Sequence, residues 1–84
     1  MSYKIFKALS DPTRLEIIKL IGNKEICACK IPKKVGKSQP NVSQHLKKLE
    51  TTGILECRRV GKMMLYRVKD RRIFKLIKIC EEMR

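Results

Sequence analysis

The segment from Ser38 to Thr52 carries side chains that could recognise another molecule through hydrogen bonds. At about 100° per residue, a helix here places a polar face opposite the apolar stripe of Val42, Leu46 and Leu49. The polar face consists of Pro40, Ser43, Gln44, Lys47 and Thr51. The amides of Asn41 and Gln44 match adenine edges, Ser43 suits several groups, and Lys47 suits guanine or phosphate.

Charge supports a polyanionic partner. The 84 residues include 21 Lys and Arg against 8 Asp and Glu, which gives a net charge of +13. A folded domain this basic repels itself, and nucleic acid is the partner that most often offsets such charge, with an acidic membrane surface second. We therefore expect duplex DNA as the partner, and no membrane association.

The elements around this segment form a helix-turn-helix followed by a hairpin. Ser38 is a good N-cap, Gly36 ends a short preceding helix, and Pro32 requires that helix to begin near Cys29 or later. The expected order is α-α-α-α-β-β-α, a mostly α (α+β) winged helix-turn-helix in one domain over 1–84. Its parts are the helix-turn-helix at about 29–52, the wing at about 54–69 and a last helix at about 71–83.

The second helix of such a motif enters the major groove, and the surrounding cations hold the phosphates. His45, between the two faces, is either structural or a phosphate ligand, and one histidine excludes a His-based metal site. The predicted DNA contacts are Ser38, Gln39, Pro40, Asn41, Ser43, Gln44, His45, Lys47 and Lys48, with Lys33, Lys34 and Lys37 before the helix and Arg58, Arg59 and Lys62 in the wing.

No apolar run approaches the roughly 20 residues of a membrane-spanning helix, and the N-terminus lacks a signal-peptide core. A cytoplasmic location is expected, in which the four cysteines are thiols rather than a disulfide framework.

Three stretches together resemble the ArsR/SmtB repressors. Residues 7–18 (KALSDPTRLEII) are similar to the opening of that family, 38–49 (SQPNVSQHLKKL) to its recognition helix, and 53–55 with 58–62 to its wing. The resemblance implies a homodimer packed through its terminal helices, a two-fold symmetric operator, and an effector that releases the protein. The apolar positions expected in that dimer interface are Ile5, Phe6, Ile73, Leu76, Ile77 and Cys80.

The stretch Glu25-Ile26-Cys27-Ala28-Cys29 resembles the Glu-Leu-Cys-Val-Cys box that binds arsenite, cadmium or lead in some members. Soft thiolates select soft metals, so arsenite, cadmium or zinc are candidate effectors. Lys30-Ile31-Pro32 follows where the arsenic box often continues Asp-Leu-Cys, and no cysteine precedes residue 27. Cys57 or Cys80 would have to supply a third ligand.

Three readings of the cysteines stay open on sequence alone: metal binding, reversible thiol oxidation, or no sensing. The function predicted is a sequence-specific DNA-binding repressor that requires no cofactor, and the alternative is a sequence-tolerant architectural nucleic-acid binder. A thiol enzyme on Cys27 and Cys29 is disfavoured because no acid pair or histidine is placed to act as a base.

Overall fold

Five helices and a small antiparallel sheet follow one another along the chain. The computed structural model describes residues 2–83. The helices are α1 (Ser2–Leu9), α2 (Pro12–Ile21), α3 (Ile31–Val35), α4 (Gln39–Thr51) and α5 (Arg72–Glu82), and the strands are β1 (Ile26–Cys27), β2 (Leu55–Val60) and β3 (Met63–Val68). The predicted winged helix-turn-helix order is confirmed, with one addition, the short strand β1.

Local signals explain the helix boundaries. Asp11 caps α2, because its carboxylate accepts hydrogen bonds from the amides of Thr13 (2.7 Å) and Arg14 (3.1 Å), and Pro12 occupies the first helical position. Pro32 lies in the first turn of α3, which begins at Ile31, two residues later than the expected Cys29. A 3₁₀ turn over Ala28–Lys30 fills the difference.

The sheet has the order β1-β3-β2, and its register fixes which side chains share a face. Cys57 lies opposite Tyr66, which in turn lies opposite Ile26, so these three point to one side. That side packs on the helices, and we call it the core face. The neighbouring row of Arg58, Leu65 and Cys27 belongs to the outer face. A two-residue strand such as β1 is too short to show an alternating pattern in the sequence.

The core forms where α2, α3, α4 and the sheet meet. Its fully buried side chains are Ile17, Ile18, Ile21, Ile31, Val42, Leu46, Leu49 and Leu55. Within residues 2–83 no buried side-chain nitrogen or oxygen lacks a hydrogen-bond partner. The described residues include no buried polar or charged side chain, so the core is apolar throughout.

Candidate nucleic-acid interface and thiol pair

The turn between α3 and α4 depends on two residues. Gly36 ends α3 in the left-handed conformation (φ 69°), and its amide donates to the carbonyl of Pro32. Ser38 then begins α4, and its hydroxyl accepts a hydrogen bond from the Asn41 amide at 3.2 Å. The cap satisfies one free amide in the first turn of α4 and so stabilises the N-terminus of this helix directly after the turn.

Helix α4 is anchored on one side and open on the other. Val42, Leu46 and Leu49 are at most 1% exposed. The predicted DNA contacts around it are exposed, namely Ser38, Gln39, Pro40, Asn41, Ser43, Gln44, Lys47 and Lys48, together with Lys33, Lys34 and Lys37. Because the buried stripe fixes the helix rotation, the amide, hydroxyl and ammonium groups form one outward surface, which we call the α4 polar surface.

His45 lies at the edge of this surface, half-buried, beside Arg14 of α2. The Arg14 guanidinium donates to the carbonyls of Ala8 (2.7 Å) and Lys7 (3.3 Å) at the end of α1, and its Nη1 lies 3.4 Å from His45 Nδ1. Arginine can only donate, so a hydrogen bond in this contact requires the His45 tautomer in which Nδ1 accepts and Nε2 carries the proton. This link could not be predicted from the sequence, because it joins three helices that are separated along the chain.

The wing turns at Gly61-Lys62, a two-residue connection between the paired residues Val60 and Met63. Gly61 has φ 61°. Within residues 2–83 only glycines have a positive φ, so Lys62 does not have one. A positive φ at the first turn residue alone is typical of a type II′ hairpin. Arg59 and Lys62 are exposed. Both reach outward near the end of the hairpin.

Arg58 is engaged within the chain. Its Nε and Nη2 donate to the two carboxylate oxygens of Glu25, at 2.7 and 2.8 Å. The hydrogen bond from Arg58 lowers the pKa of Glu25, and the carboxylate correspondingly raises the pKa of Arg58. A predicted phosphate contact is thus already paired with an acid that precedes β1, two residues before Cys27.

Cys27 and Cys29 converge, as the sequence resemblance implied. Their Sγ atoms are 2.8 Å apart, with Cys27 buried and Cys29 exposed. Cys27 precedes the 3₁₀ turn and has extended backbone (φ −67°, ψ 135°), so the separation of about 200° that i and i+2 have in an ideal helix does not apply. A hydrogen bond from Cys29 lowers the pKa of Cys27, assisted by the backbone amides of Cys29 and Met64, while the same bond raises the pKa of Cys29.

The two cysteines considered as third ligands do not join them. Cys57 points to the core face, opposite the row that contains Cys27, and packs beside Tyr66. Burial first, and the adjacent Cys57 second, raise the pKa of Tyr66 to about 12. Cys80 is exposed on α5, and no three His, Cys, Asp or Glu side chains cluster for a metal within residues 2–83. Within the described residues of one chain, neither Cys57 nor Cys80 therefore lies with the thiol pair.

The terminal helices divide the expected interface residues into two groups. Ile73 and Ile77 are 8% and 5% exposed and belong to the chain's own core, so they leave little area for a partner. Ile5 and Leu76 are half-buried, and Phe6 and Cys80 are exposed. An apolar groove between α1 and α5 is lined by Phe6, Leu9, Ser10, Leu15, Ile77, Cys80 and Glu81.

Comparison with known proteins places this architecture in a family. Residues 11–56 match the family described as "Bacterial regulatory protein, arsR family". The chain belongs to the ArsR family. It is 42% identical over 81 residues to a helix-turn-helix transcriptional regulator of Methanocaldococcus jannaschii, covering 95% of this chain and 91% of that one.

Two further relatives extend the comparison. The arsenical resistance operon repressor of Staphylococcus xylosus is 40% identical over 72 residues, covering 81% of this chain and 69% of the relative. The solution structure of a homodimeric winged helix-turn-helix DNA-binding domain from Mycobacterium bovis has a TM-score of 0.86 at 28% identity, covering 95% of this chain and 77% of that one.

This ArsR-family protein is accordingly a DNA-binding transcriptional regulator and not an enzyme. Among the helices of residues 2–83, none has both the length and the apolar character needed to span a bilayer.

Proposed function

We propose that this chain is a homodimeric repressor that reads its operator with the α4 polar surface and leaves it when a thiophilic ion binds Cys27 and Cys29. The observation that carries the proposal is the convergence of two sulfur atoms, 2.8 Å apart, directly before the helix-turn-helix. One short segment then holds both the ligand atoms and the first helix of the reading motif.

For operator reading, Gln44 and Asn41 supply the amides that discriminate bases, and Ser43 adds a hydroxyl. Lys33, Lys34, Lys37, Lys47 and Lys48, with Ser38, Gln39 and Pro40 at the helix start, position the duplex through its backbone. His45, with Nδ1 occupied by Arg14, offers its Nε2–H to a phosphate. The exposure of all these groups except half-buried His45, on a helix that three buried side chains anchor, supports this assignment.

In the wing, Arg59 and Lys62 are assigned to the adjacent DNA backbone. Arg58 reaches it only by leaving Glu25, which acts as an internal competitor for its guanidinium. Glu25 and Cys27 flank Ile26 in one short segment. A shift of β1 on effector binding would therefore change the ion pair between Glu25 and Arg58. This gives a direct physical connection from the thiols to the wing.

The donor set constrains the effector. Two thiolates of one chain fit a soft ion that accepts two protein sulfurs and completes its coordination with solvent or a small ligand. Arsenite and cadmium suit this set better than zinc, because structural zinc sites close with four protein ligands. The lowered pKa of Cys27 favours the thiolate that such an ion needs. The ArsR-family relative from S. xylosus, a repressor of an arsenical resistance operon, supports arsenite as the first ion to test.

Oxidation is the second candidate for the same pair. Loss of two electrons and two protons to an oxidant such as a peroxide would join Cys27 and Cys29 in a disulfide. The 2.8 Å separation of the sulfur atoms favours it over oxidation of the separate Cys57 and Cys80. An architectural role without an effector remains the alternative that the net charge of +13 supports.

The dimer is proposed to form through α1 and α5. Phe6 is 55% exposed and Met83 is 80% exposed, which leaves apolar surface that a second copy would cover. With Ile73 and Ile77 committed to the core, the contact falls on Ile5, Phe6, Leu76 and Cys80 instead. The homodimeric state of the M. bovis domain supports this arrangement.

The experiment begins with a duplex that the fully reduced protein selects from a random pool, at a stated salt concentration. Its binding is then measured anaerobically with arsenite, cadmium and zinc. We expect arsenite to release the wild type and to leave the Cys27→Ser/Cys29→Ser variant bound. The Cys57→Ser/Cys80→Ser variant has the same number of changes and should respond like the wild type.

Each other outcome identifies a different function. If arsenite released both double variants from the duplex equally, the assignment of Cys27 and Cys29 as the effector ligands would be contradicted. Release by hydrogen peroxide, reversed by a dithiol, in place of release by any ion would select the oxidation mechanism. Failure to enrich any sequence would favour the architectural role.

The Glu25 connection has its own test with a matched control. Glu25→Gln should strengthen duplex binding about two- to fivefold, the range expected from a surface ion pair worth up to about 1 kcal/mol. Glu56→Gln removes the same charge, but its partner is Arg67, at 2.8 Å, far from the hairpin turn. Equal strengthening by both variants would mean that net charge alone acts, without competition for Arg58.

A further inference from the structure

Helix α5 presents three different faces to its surroundings. Ile73 and Ile77 face the core, and Leu76, Ile79 and Met83 lie together on an apolar side. Arg71, Lys75 and Lys78 fall within about 60° of each other on the third side, at about 100° per residue. All three cations are exposed and outnumber Glu82, the one carboxylate on this side, so the third side is net basic and separate from the proposed dimer contact.

The basic side of α5 continues onto neighbouring elements. A concavity of about 300 Å³ beside the start of α5 is lined by Arg71 together with Lys24 and Arg67, and an adjoining one by Arg71 and Lys19. We call the combined set the α5 basic surface. It comprises Lys19, Lys24, Arg67, Arg71, Lys75 and Lys78.

Acidic neighbours neutralise only part of this surface. Lys19 pairs with Glu81, and Arg67 pairs with Glu56. Glu25, which lines the concavity, is occupied by Arg58. Within residues 2–83, Lys24, Arg71, Lys75 and Lys78 make no ion pair with a carboxylate, and these four cations exceed the single carboxylate of Glu82 on their side of α5.

This arrangement is unfavourable for the isolated chain. Arg71 lies at the N-terminus of α5, where the helix dipole disfavours a cation, and Lys75 follows it at i+4 as a like charge. A polyanion bound here would offset both effects, as it would on the α4 side.

The α5 basic surface is also separate from the α4 polar surface. The shallow concavity on α4 is lined by Ser43, Gln44, Lys47, Lys48 and Thr51, and the two surfaces have no residue in common. Val68, at the edge of the α5 concavity, is five residues along β3 from the hairpin turn, or roughly 17 Å. A duplex lying on α4 and the wing tip would leave the α5 basic surface open.

We propose that the α5 basic surface binds the phosphate backbone of a second duplex DNA segment, so that the protein bridges two segments. Its six side chains are ammonium and guanidinium groups, which attract phosphate without reading bases, and the concavities beside them also contain Asn23 and Glu25, which is paired with Arg58. Duplex DNA fits better than an anionic membrane, because an amphipathic membrane helix would bury the apolar side of α5, and the proposed dimer contact covers part of that side.

The test uses one biotinylated duplex on beads and a second, labelled duplex of unrelated sequence. Full-length wild-type protein should carry the labelled duplex onto the beads. The Arg71→Gln/Lys75→Gln/Lys78→Gln variant should lose at least about tenfold of this capture while holding the immobilised duplex within about twofold. Removal of three phosphate contacts should also flatten the salt dependence of capture by about 0.9 per contact in log–log slope.

The matched control is Lys33→Gln/Lys34→Gln/Lys37→Gln, which removes the same charge from the helix-turn-helix. It should weaken binding to the immobilised duplex itself, and so separates failure of this proposal from failure of the proposed operator reading. Thermal unfolding of all variants checks that they fold.

Unchanged capture by the α5 variant would overturn the proposal. So would binding of wild type to vesicles of phosphatidylserine and phosphatidylcholine, lost in the α5 variant, without capture of a second duplex.

Discussion

Helices α4 and α5 both present cations to solvent, yet they are built differently. Helix α4 is capped by Ser38, is held by three side chains at most 1% exposed, and mixes amides and hydroxyls with its lysines. Helix α5 has no side-chain cap at Arg71, is held by two side chains at 5% and 8% exposure, and carries three cations and one carboxylate, without an amide or hydroxyl, on its basic side. A surface that discriminates between bases needs hydrogen-bond donors and acceptors on a rigidly packed helix. A surface that only attracts phosphate needs positive charge.

The largest effect on stability should come from the buried side chains that anchor α4. Leu46→Ala removes a fully buried side chain and should lower the free energy of unfolding by about 2–5 kcal/mol. Lys75→Ala on the basic side of α5 should change it by no more than about 0.5 kcal/mol. Urea unfolding followed by circular dichroism measures both. A loss below about 1 kcal/mol for Leu46→Ala would mean that α4 is not anchored as described.

Base discrimination should be lost from α4 alone. Gln44→Ala should reduce the preference for the selected duplex over an unrelated one by about 5- to 150-fold, equivalent to about 1–3 kcal/mol. Lys75→Gln should leave this ratio unchanged, because a phosphate contact weakens with all sequences alike. Competition binding at fixed salt gives the ratio. An equal drop in this preference for the two variants would contradict the assignment of base recognition to α4 and of phosphate attraction to α5.

The two helix N-termini should respond oppositely to truncation. Ser38→Ala deletes the acceptor of the Asn41 amide and should cost about 1 kcal/mol of unfolding free energy. Arg71→Ala removes a cation from the positive end of α5 and should stabilise the protein by a few tenths of a kcal/mol. Thermal melts in low salt resolve the signs. Destabilisation by Arg71→Ala would reveal a packing role for that side chain.

The smallest effect is the pH dependence that Asp70, just before α5, contributes to stability. The Arg72 side chain, aided by its amide, lowers the pKa of Asp70 from 3.8 to about 2. Because the folded pKa is depressed, the pair stabilises the protein above about pH 4 and loses this contribution as the pH falls towards 2. Asp70→Asn should flatten the acid limb of the stability curve, measured by urea unfolding from pH 5 to 2. The loss from Ser38→Ala should not vary over that range, since the cap is a hydroxyl.

Much of the candidate site was predictable because its determinants are local. The cap at Ser38, the turn at Gly36 and the stripe of Val42 and Leu46 lie within a few residues of the structure they determine. The short strand β1 was missed because two residues carry no periodic signal. The pairing of Arg58 with Glu25 was missed because 33 positions separate them.

The sequence by itself determined the order of the helices and hairpin, the polar side of α4 and the excess of positive charge. Tertiary structure alone decided that Cys57 faces the core, that Ile73 and Ile77 belong to the chain's own interior, and that Arg14 ties α1 and α2 to His45. The physical reason is the separation along the chain of the residues that interact. Caps, turns and helical stripes depend on neighbours within about one turn, whereas strand register and the choice of buried face depend on which distant elements pack together.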